Sequence, residues 1–276
     1  MARLVISLFV VLAALYVVML IGALRMQERI VWQPPRMAQY PATDAHRLDY
    51  TSDDGQPLFA YLIGDPARAP GLLIAHHGNA DLAAWVAVWG AEVERETGWA
   101  VLVPEYRGYG GLGGSPDYLS SQRDARATYR LAREKLGVDS ARIALYGHSL
   151  GSAIATELAV EHPPAVLILE APFTSAREMA RGPLAPVALL WGLIARVHFD
   201  TRAKVAQLDV PTWVVHGERD GVIPVRMGRA VHAAARIPGE LLLVRGAGHN
   251  DVNDVGGDAY WSWLRRALAS ASRPSR

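Results

Sequence analysis

The chain has 276 residues, no cysteine, and 28 basic against 27 acidic side chains, for a formal net charge of +1. Without cysteine it has no disulfide, no thiolate nucleophile and no zinc–thiolate site. The balanced charge excludes the broad basic surface that nucleic-acid binding needs, so nucleic acid is not expected as a partner. The length suits one large α/β domain with a full hydrophobic core.

The first long feature is an apolar run without a charge at residues 4–24, bracketed by Arg3 and Arg25. As a helix this run would be about 31 Å long, close to the roughly 30 Å hydrocarbon core of a bilayer. The apolar region of a signal peptide is usually shorter, about 7–15 residues. We therefore predict a membrane anchor at 1–25, with a cleaved signal peptide as the alternative. The side of the membrane stays open, because few residues precede the run.

Residues 26–45 contain three prolines and are predicted to form an extended linker. Beyond it, short apolar runs alternate with segments of helical periodicity. Strands are predicted at 46–50, 58–63, 71–75, 100–104, 142–146, 165–169, 211–215 and 241–244, and helices at 80–96, 117–136, 150–159, 225–235 and 257–269. This alternation predicts an α/β domain at 46–271, with a mainly parallel sheet, helices on both faces and an antiparallel N-terminal hairpin.

The interval 172–209 interrupts the alternation of strands and helices. It includes the apolar segment 184–194. Two interpretations stay open: a helix packed in the core, or a lid over 173–209 whose apolar face lines the substrate pocket.

The pentapeptide Gly-His-Ser-Leu-Gly at 147–151 follows a predicted strand and precedes a predicted helix. Strand, sharp turn and helix form a nucleophile elbow, which exposes a serine hydroxyl at the top of a sheet. The glycines let the strand and the helix pass closely. Free N–H groups at the helix start would face an anion at the serine. We therefore predict Ser149 as the nucleophile.

A serine nucleophile needs a base to take its proton and an acid to orient that base. His249 lies in a glycine-rich loop after the last predicted strand, and Asp220 closely follows another strand. The chain order Ser149, Asp220, His249 is the order that α/β-hydrolases use. We predict His249 as the base and Asp220 as the acid, with Glu170 and Glu218 as rival acids.

Two other histidines lie close to these groups in sequence. His148, beside the serine, is expected to pack, and His216 is expected to support the turn after its strand. Neither is predicted to act as the base.

Negative charge that develops on a substrate oxygen needs two fixed donors. One is expected to be the backbone N–H of Leu150, the residue after the nucleophile. The other is expected from the loop after the 71–75 strand, where Gly78 permits a close approach and Asn79 supplies its N–H. Asn79 also fits a helix cap at this turn, and the two roles are compatible.

The segment Tyr-Arg-Gly-Tyr-Gly at 106–110 follows the 100–104 strand. Tyr106 and Arg107 have two interpretations. They would suit a phosphate or carboxylate site. The favoured alternative is that Arg107 braces loops near the active site through hydrogen bonds to backbone carbonyls. The sequence has no His-Glu-x-x-His motif or dense histidine–carboxylate cluster, so no metal and no cofactor are predicted.

The chain resembles the membrane-anchored α/β-hydrolases, a group that includes acyl-protein thioesterases, lysophospholipid hydrolases and many bacterial members. The resemblance rests on Gln27, Pro34, Asp54-Gly55, His77-Gly78-Asn79-Ala80, the 106–110 and 147–151 motifs, Pro172-Phe173-Thr174-Ser175, Asp220 and Gly248-His249. It implies a serine esterase or thioesterase acting on small-molecule or lipid acyl substrates.

The resemblance extends to serine peptidases, so an aminopeptidase-like activity stays open, and a membrane-tethered binding module is the non-enzymatic alternative. The oligomeric state is not predicted. Two positions depart from the family pattern. Asp81 stands where a glycine is often found, and Leu112 stands where a serine usually follows. Either change would alter the mouth of the pocket.

Overall fold

Eight strands form one sheet in the order β1-β2-β4-β3-β5-β6-β7-β8 in the computed structural model, which describes residues 2–180 and 195–271. Strands β1–β2 and β2–β4 pair antiparallel, and all other neighbours pair parallel. The strands are β1 His46–Thr51, β2 Pro57–Ile63, β3 Leu72–His76, β4 Ala100–Pro104, β5 Ile143–His148, β6 Val166–Glu170, β7 Pro211–Gly217 and β8 Ile237–Val244. The predicted mainly parallel sheet with a leading hairpin is confirmed.

The α-helices that the structure describes are α1 Ala2–Val31, α2 Ala83–Thr97, α3 Tyr118–Arg130, α4 Leu150–Glu161, α5 Ala176–Ala180, α6 Thr201–Val205, α7 Val225–Ala234 and α8 Val252–Ser270. Among them, α1 precedes the sheet, α8 follows the last strand, and the others lie between strands. Helix α3 continues into a π-helical turn at Leu131–Lys135. Because helices cover both faces, every residue of β3, β4 and β6 is buried.

Alternate residues of the buried strands pack into two cores, one on each face of the sheet. Leu72 and Ile74 of β3 belong to the core that includes residues of α3, α4 and α7. Leu73 and Ala75 belong to the core that includes residues of α2 and α8. The period of two along each strand therefore divides the apolar side chains between the faces.

Several element boundaries differ from the predicted ones. Helix α1 continues to Val31, although 26–45 was predicted as extended linker. No proline precedes Pro34, so the polar residues after the apolar run can extend the helix. Helix α8 begins at Val252, before the predicted 257, and Gly257 inside it has φ 47°. A non-helical glycine there divides the segment, which explains why periodicity alone located only its second part.

The predicted lid at 173–209 is only partly within the described residues. Helices α5 and α6 lie in this interval. The apolar segment 184–194 falls outside the residues that the structure describes, and the lid stays a prediction.

Helix α1 contains one apolar stretch, Arg3–Gly22, that is long enough to cross a membrane, although signal sequences meet the same criterion. None of this stretch is buried against the rest of the protein. Immediately after the helix, Trp32 is only 4% exposed and packs edge-on against Tyr106, with ring centroids 6.1 Å apart. The start of the linker is therefore part of the folded domain.

Candidate active site

Ser149 lies on a sharp turn between β5 and α4. Its φ of 54° and ψ of −116° are unusual for a residue other than glycine. A side chain at Gly147 would collide with the Gly151 carbonyl, so this turn requires glycine where strand and helix cross. The Ser149 N–H donates to the Glu170 carbonyl at 2.9 Å, which fixes the turn to the neighbouring strand.

The structure brings Ser149, His249 and Asp220 together at the carboxyl edge of the sheet. His249 Nε2 is 3.0 Å from Ser149 Oγ, and His249 Nδ1 is 2.7 Å from Asp220 Oδ2. The His249 side chain is 11% exposed, whereas the Asp220 side chain is fully buried. An imidazole that contacts a carboxylate through one nitrogen and a hydroxyl through the other can remove the hydroxyl proton.

Asp220 accepts three hydrogen bonds and lies against a second imidazole. Its Oδ1 accepts the backbone N–H groups of Val222 and Ile223, both at 2.8 Å. Its Oδ2 accepts from His249 and also lies 3.2 Å from His216 Nε2. Burial alone would raise the pKa of Asp220, but these hydrogen bonds hold that pKa well below its usual range. The carboxylate therefore stays ionised beside His249.

The rival acids lie elsewhere. Glu170 accepts hydrogen bonds from the hydroxyl groups of Tyr146 and Tyr260, at 2.9 and 3.1 Å. Glu218 is exposed to solvent. Neither carboxylate makes a hydrogen bond to His249 among the described residues.

The two predicted oxyanion donors, the N–H groups of Asn79 and Leu150, lie on either side of Ser149. Neither Asn79 N–H nor Leu150 N–H donates a hydrogen bond to another described residue. A side-chain carbon at Gly78 would lie 3.6 Å from Ser149 Cβ and 2.8 Å from His148 Nδ1, so the loop passes directly over the elbow. The predicted cap role of Asn79 is wrong. Helix α2 begins three residues later than predicted, with Leu82 as its N-cap.

Comparisons with known proteins agree with this architecture. A family model described as serine aminopeptidase, S33, matches residues 67–203. Pyrococcus furiosus esterase Pf2001 superposes with a TM-score of 0.67 at 17% identity, covering 87% of this chain and 97% of the esterase. The Rhodococcus esterase RhEst1 superposes with a TM-score of 0.62 at 19% identity, covering 82% and 99%. The chain has the α/β-hydrolase fold.

Relatives in sequence include the uncharacterized protein Rv2307c of Mycobacterium tuberculosis, 36% identical over 178 residues. That match covers 63% of this chain and 62% of the length of the mycobacterial protein. Human alpha/beta hydrolase domain-containing protein 17B is 25% identical over 246 residues, covering 88% of this chain and 80% of the human protein.

The side chain of Asn79 anchors the loop at residues 77–82, between β3 and α2, which is the predicted oxyanion loop. Its Oδ1 accepts from the Ala80 N–H at 3.0 Å, the Gln33 N–H at 2.9 Å and the Tyr109 hydroxyl at 2.8 Å. Two of these donors come from distant segments, one from the linker after α1 and one from the 106–110 motif. Sequence analysis missed both, although the position of Tyr109 just after a buried strand was a signal.

A second histidine–carboxylate pair lies beneath this loop. His77 Nε2 is 2.9 Å from Glu105 Oε1, and His77 Nδ1 is 2.9 Å from the Gly78 carbonyl. Because both partners are acceptors, both nitrogens must carry a proton. Burial alone would lower the pKa of His77, but the Glu105 carboxylate raises that pKa above its ordinary value. Glu105 follows the buried strand β4, which is the sequence signal that could have identified it.

Tyr106 and Arg107 brace loops rather than present free groups. The Arg107 guanidinium bonds both oxygens of Asp54, at 2.8 and 3.1 Å, and both oxygens of Asp124, at 2.8 and 2.5 Å. These partners are carboxylates, whereas backbone carbonyls were predicted. The Arg107 hydrogen bond is the main cause that lowers the pKa of Asp54 to about 2. The Tyr106 hydroxyl donates to the His77 carbonyl at 2.8 Å.

His148 and His216 support the loops that carry His249 and Asp220. His148 Nε2 donates to the His249 carbonyl at 3.0 Å, and His216 Nε2 donates to the Ile223 carbonyl at 2.9 Å. Burial lowers the pKa of His148, so its ring is neutral. Among the described residues, no group of three or more acidic or histidine side chains is arranged to hold a metal ion.

Proposed function

We propose that this protein is a membrane-anchored serine hydrolase that cleaves carboxylic ester or thioester bonds of small-molecule or lipid acyl substrates. The observation that carries the proposal is the hydrogen-bonded chain Ser149 Oγ–His249 Nε2 and His249 Nδ1–Asp220 Oδ2, at 3.0 and 2.7 Å. Both distances lie within the range of a working nucleophile, base and orienting acid.

In the acylation step, Ser149 Oγ attacks the carbonyl carbon while His249 Nε2 takes the hydroxyl proton. Asp220 stabilises the imidazolium that forms. The N–H groups of Leu150 and Asn79 bind the oxyanion, and the start of α4 adds its dipole. His249 then gives its proton to the leaving alcohol or thiol as the C–O or C–S bond breaks.

In the deacylation step, water attacks the acyl group on Ser149. His249 removes a proton from that water and returns it to Ser149 as the carboxylic acid leaves. The reaction is a hydrolysis with no net oxidation or reduction, and no cofactor is invoked in either step.

The labelling experiment tests the nucleophile directly. A fluorophosphonate should label the wild type and should not label Ser149→Ala. The same substitution should lower kcat/KM for a neutral ester by about 10⁴-fold or more. Ser175→Ala is the matched control, because in the part of the chain that the structure describes the Ser175 hydroxyl makes one hydrogen bond, accepting the Glu178 N–H at 3.2 Å. Equal labelling of the wild type and Ser149→Ala would contradict the assignment.

An aminopeptidase-like activity is the second candidate, favoured by the family model described as serine aminopeptidase. A substrate panel separates the two with the same protein. We expect turnover of p-nitrophenyl acyl esters and acyl thioesters to exceed turnover of aminoacyl p-nitroanilides. The reverse order would favour the peptidase. Labelling without turnover of any substrate in the panel would instead favour the binding module.

We further propose that residues 1–25 anchor the protein in a membrane, 26–45 link the anchor to the domain, and 46–271 form the hydrolase domain with a lid at 173–209. The exposed apolar stretch of α1 and the contact of Gln33 with the oxyanion loop support this layout. The full chain should resist alkaline carbonate extraction, and a chain lacking 2–25 should be released. Recovery of a mature protein that begins after the apolar run would show a signal peptide.

A further inference from the structure

A cavity of about 380 Å³ lies beside the active site, on the side of the sheet covered by α2 and α8. Its wall extends from the predicted oxyanion loop to the loop that carries His249, since Asn79 and Asn250 both line it. The side chains that give the cavity its chemistry are Asp81, Trp85, Trp89, Tyr146, His148 and Glu170. No step proposed above uses this cavity.

The cavity is negatively charged. Asp81 and Glu170 line it, and no lysine or arginine does. Two histidines also line the cavity. His148 is neutral, because burial lowers its pKa, and the charge of the protonated His77 is balanced by Glu105, 2.9 Å away.

Glu170 has a carboxylate oxygen without a donor. The residue is 6% exposed, and its Oε2 accepts from Tyr146 and Tyr260. Its Oε1 has no hydrogen-bond partner among the described residues, and Glu170 faces the cavity. Since Oε1 is not one of the fully buried polar atoms that lack a partner, it can be reached from the cavity by a ligand that donates hydrogen bonds.

Aromatic rings complete the site. Trp89 stacks on Tyr146 with ring centroids 4.5 Å apart, and Trp85 is 42% exposed. Aromatic faces attract organic cations. A metal ion is a poor match, since the described residues hold no cluster of three or more suitable donors. The donor-free Oε1 of Glu170, the second carboxylate of Asp81 and the aromatic walls together match an alkylammonium group that has N–H donors.

We propose that this cavity binds a primary ammonium group of the substrate, next to the bond that is cleaved. That part of the inference which concerns the substrate rests on the proposed hydrolase function. Glu170 Oε1 accepts an N–H from the ammonium, Asp81 adds its charge from the loop before α2, and the tryptophans cover the alkyl stem.

Binding is measured first, on the full chain in neutral detergent carrying Ser149→Ala, so that turnover plays no part. Ligand-observed NMR compares n-butylammonium with 1-butanol, which has nearly the same size and no charge. We expect the ammonium to bind about tenfold more tightly, as one charge-assisted contact would give. Equal affinities for the two ligands would overturn the proposal.

Variants then locate the site. Added to Ser149→Ala, Glu170→Gln and Asp81→Asn should each reduce the preference for butylammonium several-fold. Both substitutions keep an oxygen for the existing hydrogen bonds, from the two tyrosines and from the Leu82 N–H at 2.8 Å. Glu218→Gln removes an exposed carboxylate outside the cavity and should change nothing. An equal effect of all three would mean a non-specific charge effect and would overturn the assignment.

Turnover tests the link to the substrate. The wild type should hydrolyse 4-(aminomethyl)phenyl butyrate about tenfold faster in kcat/KM than its neutral isostere 4-ethylphenyl butyrate. Asp81→Asn should bring this ratio close to one. A ratio near one in the wild type would overturn the substrate role. If neither ester is cleaved while butylammonium still binds, the hydrolase function fails and the cation site stands.

Discussion

The two histidine–carboxylate pairs at the carboxyl edge of the sheet differ in the use of the second imidazole nitrogen. In the His77–Glu105 pair, both nitrogens face acceptors, and the side chains are almost completely buried. In the His249–Asp220 pair, one nitrogen faces the carboxylate and the other faces the Ser149 hydroxyl. The first histidine has no free lone pair, whereas the second can accept a proton.

The difference separates a pair that has no nitrogen free to take a proton from the pair that we propose as base and acid, although the distances are alike at 2.9 and 2.7 Å. A histidine beside a carboxylate is therefore a weak sign of catalysis by itself. The useful sign is a nitrogen directed at a nucleophile on a strained turn. The predictions below test this distinction, beginning with the largest expected effect.

Asp220→Asn should lower kcat about 10⁴-fold. An amide can keep the geometry, but it does not stabilise the imidazolium and it permits the wrong His249 tautomer. Turnover of a neutral ester, normalised to correctly folded protein by its circular dichroism, measures the effect. A loss of less than about tenfold would mean that Asp220 does not orient the base.

Glu105→Gln should lower the stability of the fold and leave kcat nearly unchanged, the reverse of Asp220→Asn. It leaves the buried His77 imidazolium without its counter-charge, which typically costs about 3–5 kcal/mol of stability. Denaturant unfolding measures this loss. The kcat per fluorophosphonate-reactive site should stay within a few-fold of wild type. A kcat loss as large as that of Asp220→Asn, with stability unchanged, would reverse the two assignments.

Some of these features could be predicted from the sequence, and others depend on tertiary contacts that the sequence does not reveal. Strand–helix alternation predicted the sheet, and the elbow motif with chain order identified Ser149, His249 and Asp220, which the structure brings into contact. The hydrogen bonds that hold the predicted oxyanion loop could not be predicted from these local patterns. Gln33 lies 46 residues before Asn79, and only tertiary packing brings the two together.

The protonation state of His77 illustrates the same limit. Its sequence neighbours predicted an oxyanion loop, but the second proton depends on Glu105, 28 residues away. Likewise, Arg107 was expected to contact backbone carbonyls, and its carboxylate partners Asp54 and Asp124 are 53 and 17 residues away. Local patterns located these residues and did not specify their partners.

The His77–Glu105 pair should also make stability depend on pH. The folded pKa of His77 is raised above its ordinary 6.5. The stabilisation is therefore complete below the unfolded pKa and is lost as pH rises through the folded pKa. The unfolding free energy of wild type minus that of His77→Gln should be larger at about pH 6 than at about pH 9. A difference that grows with pH would show that His77 is neutral in the folded state.

The smallest expected effect concerns Tyr109, which we expect to hold Asn79, and so its backbone N–H, in place for the oxyanion. Tyr109→Phe removes the hydroxyl that donates to Asn79 Oδ1 at 2.8 Å and accepts the Gln33 N–H at 3.0 Å. Loss of about one hydrogen bond should lower kcat roughly three- to tenfold. KM should change little, because the oxyanion contact strengthens only in the transition state.

Tyr40→Phe is the matched control for this last prediction. The Tyr40 hydroxyl donates to the Pro35 carbonyl of the same linker, at 3.3 Å, and makes no contact with Asn79. Steady-state kinetics on both variants separate positioning of the oxyanion donor from general loosening of the linker. Equal losses in the two variants, or a rise in KM alone for Tyr109→Phe, would mean that Tyr109 supports the fold and leaves the Asn79 N–H in place.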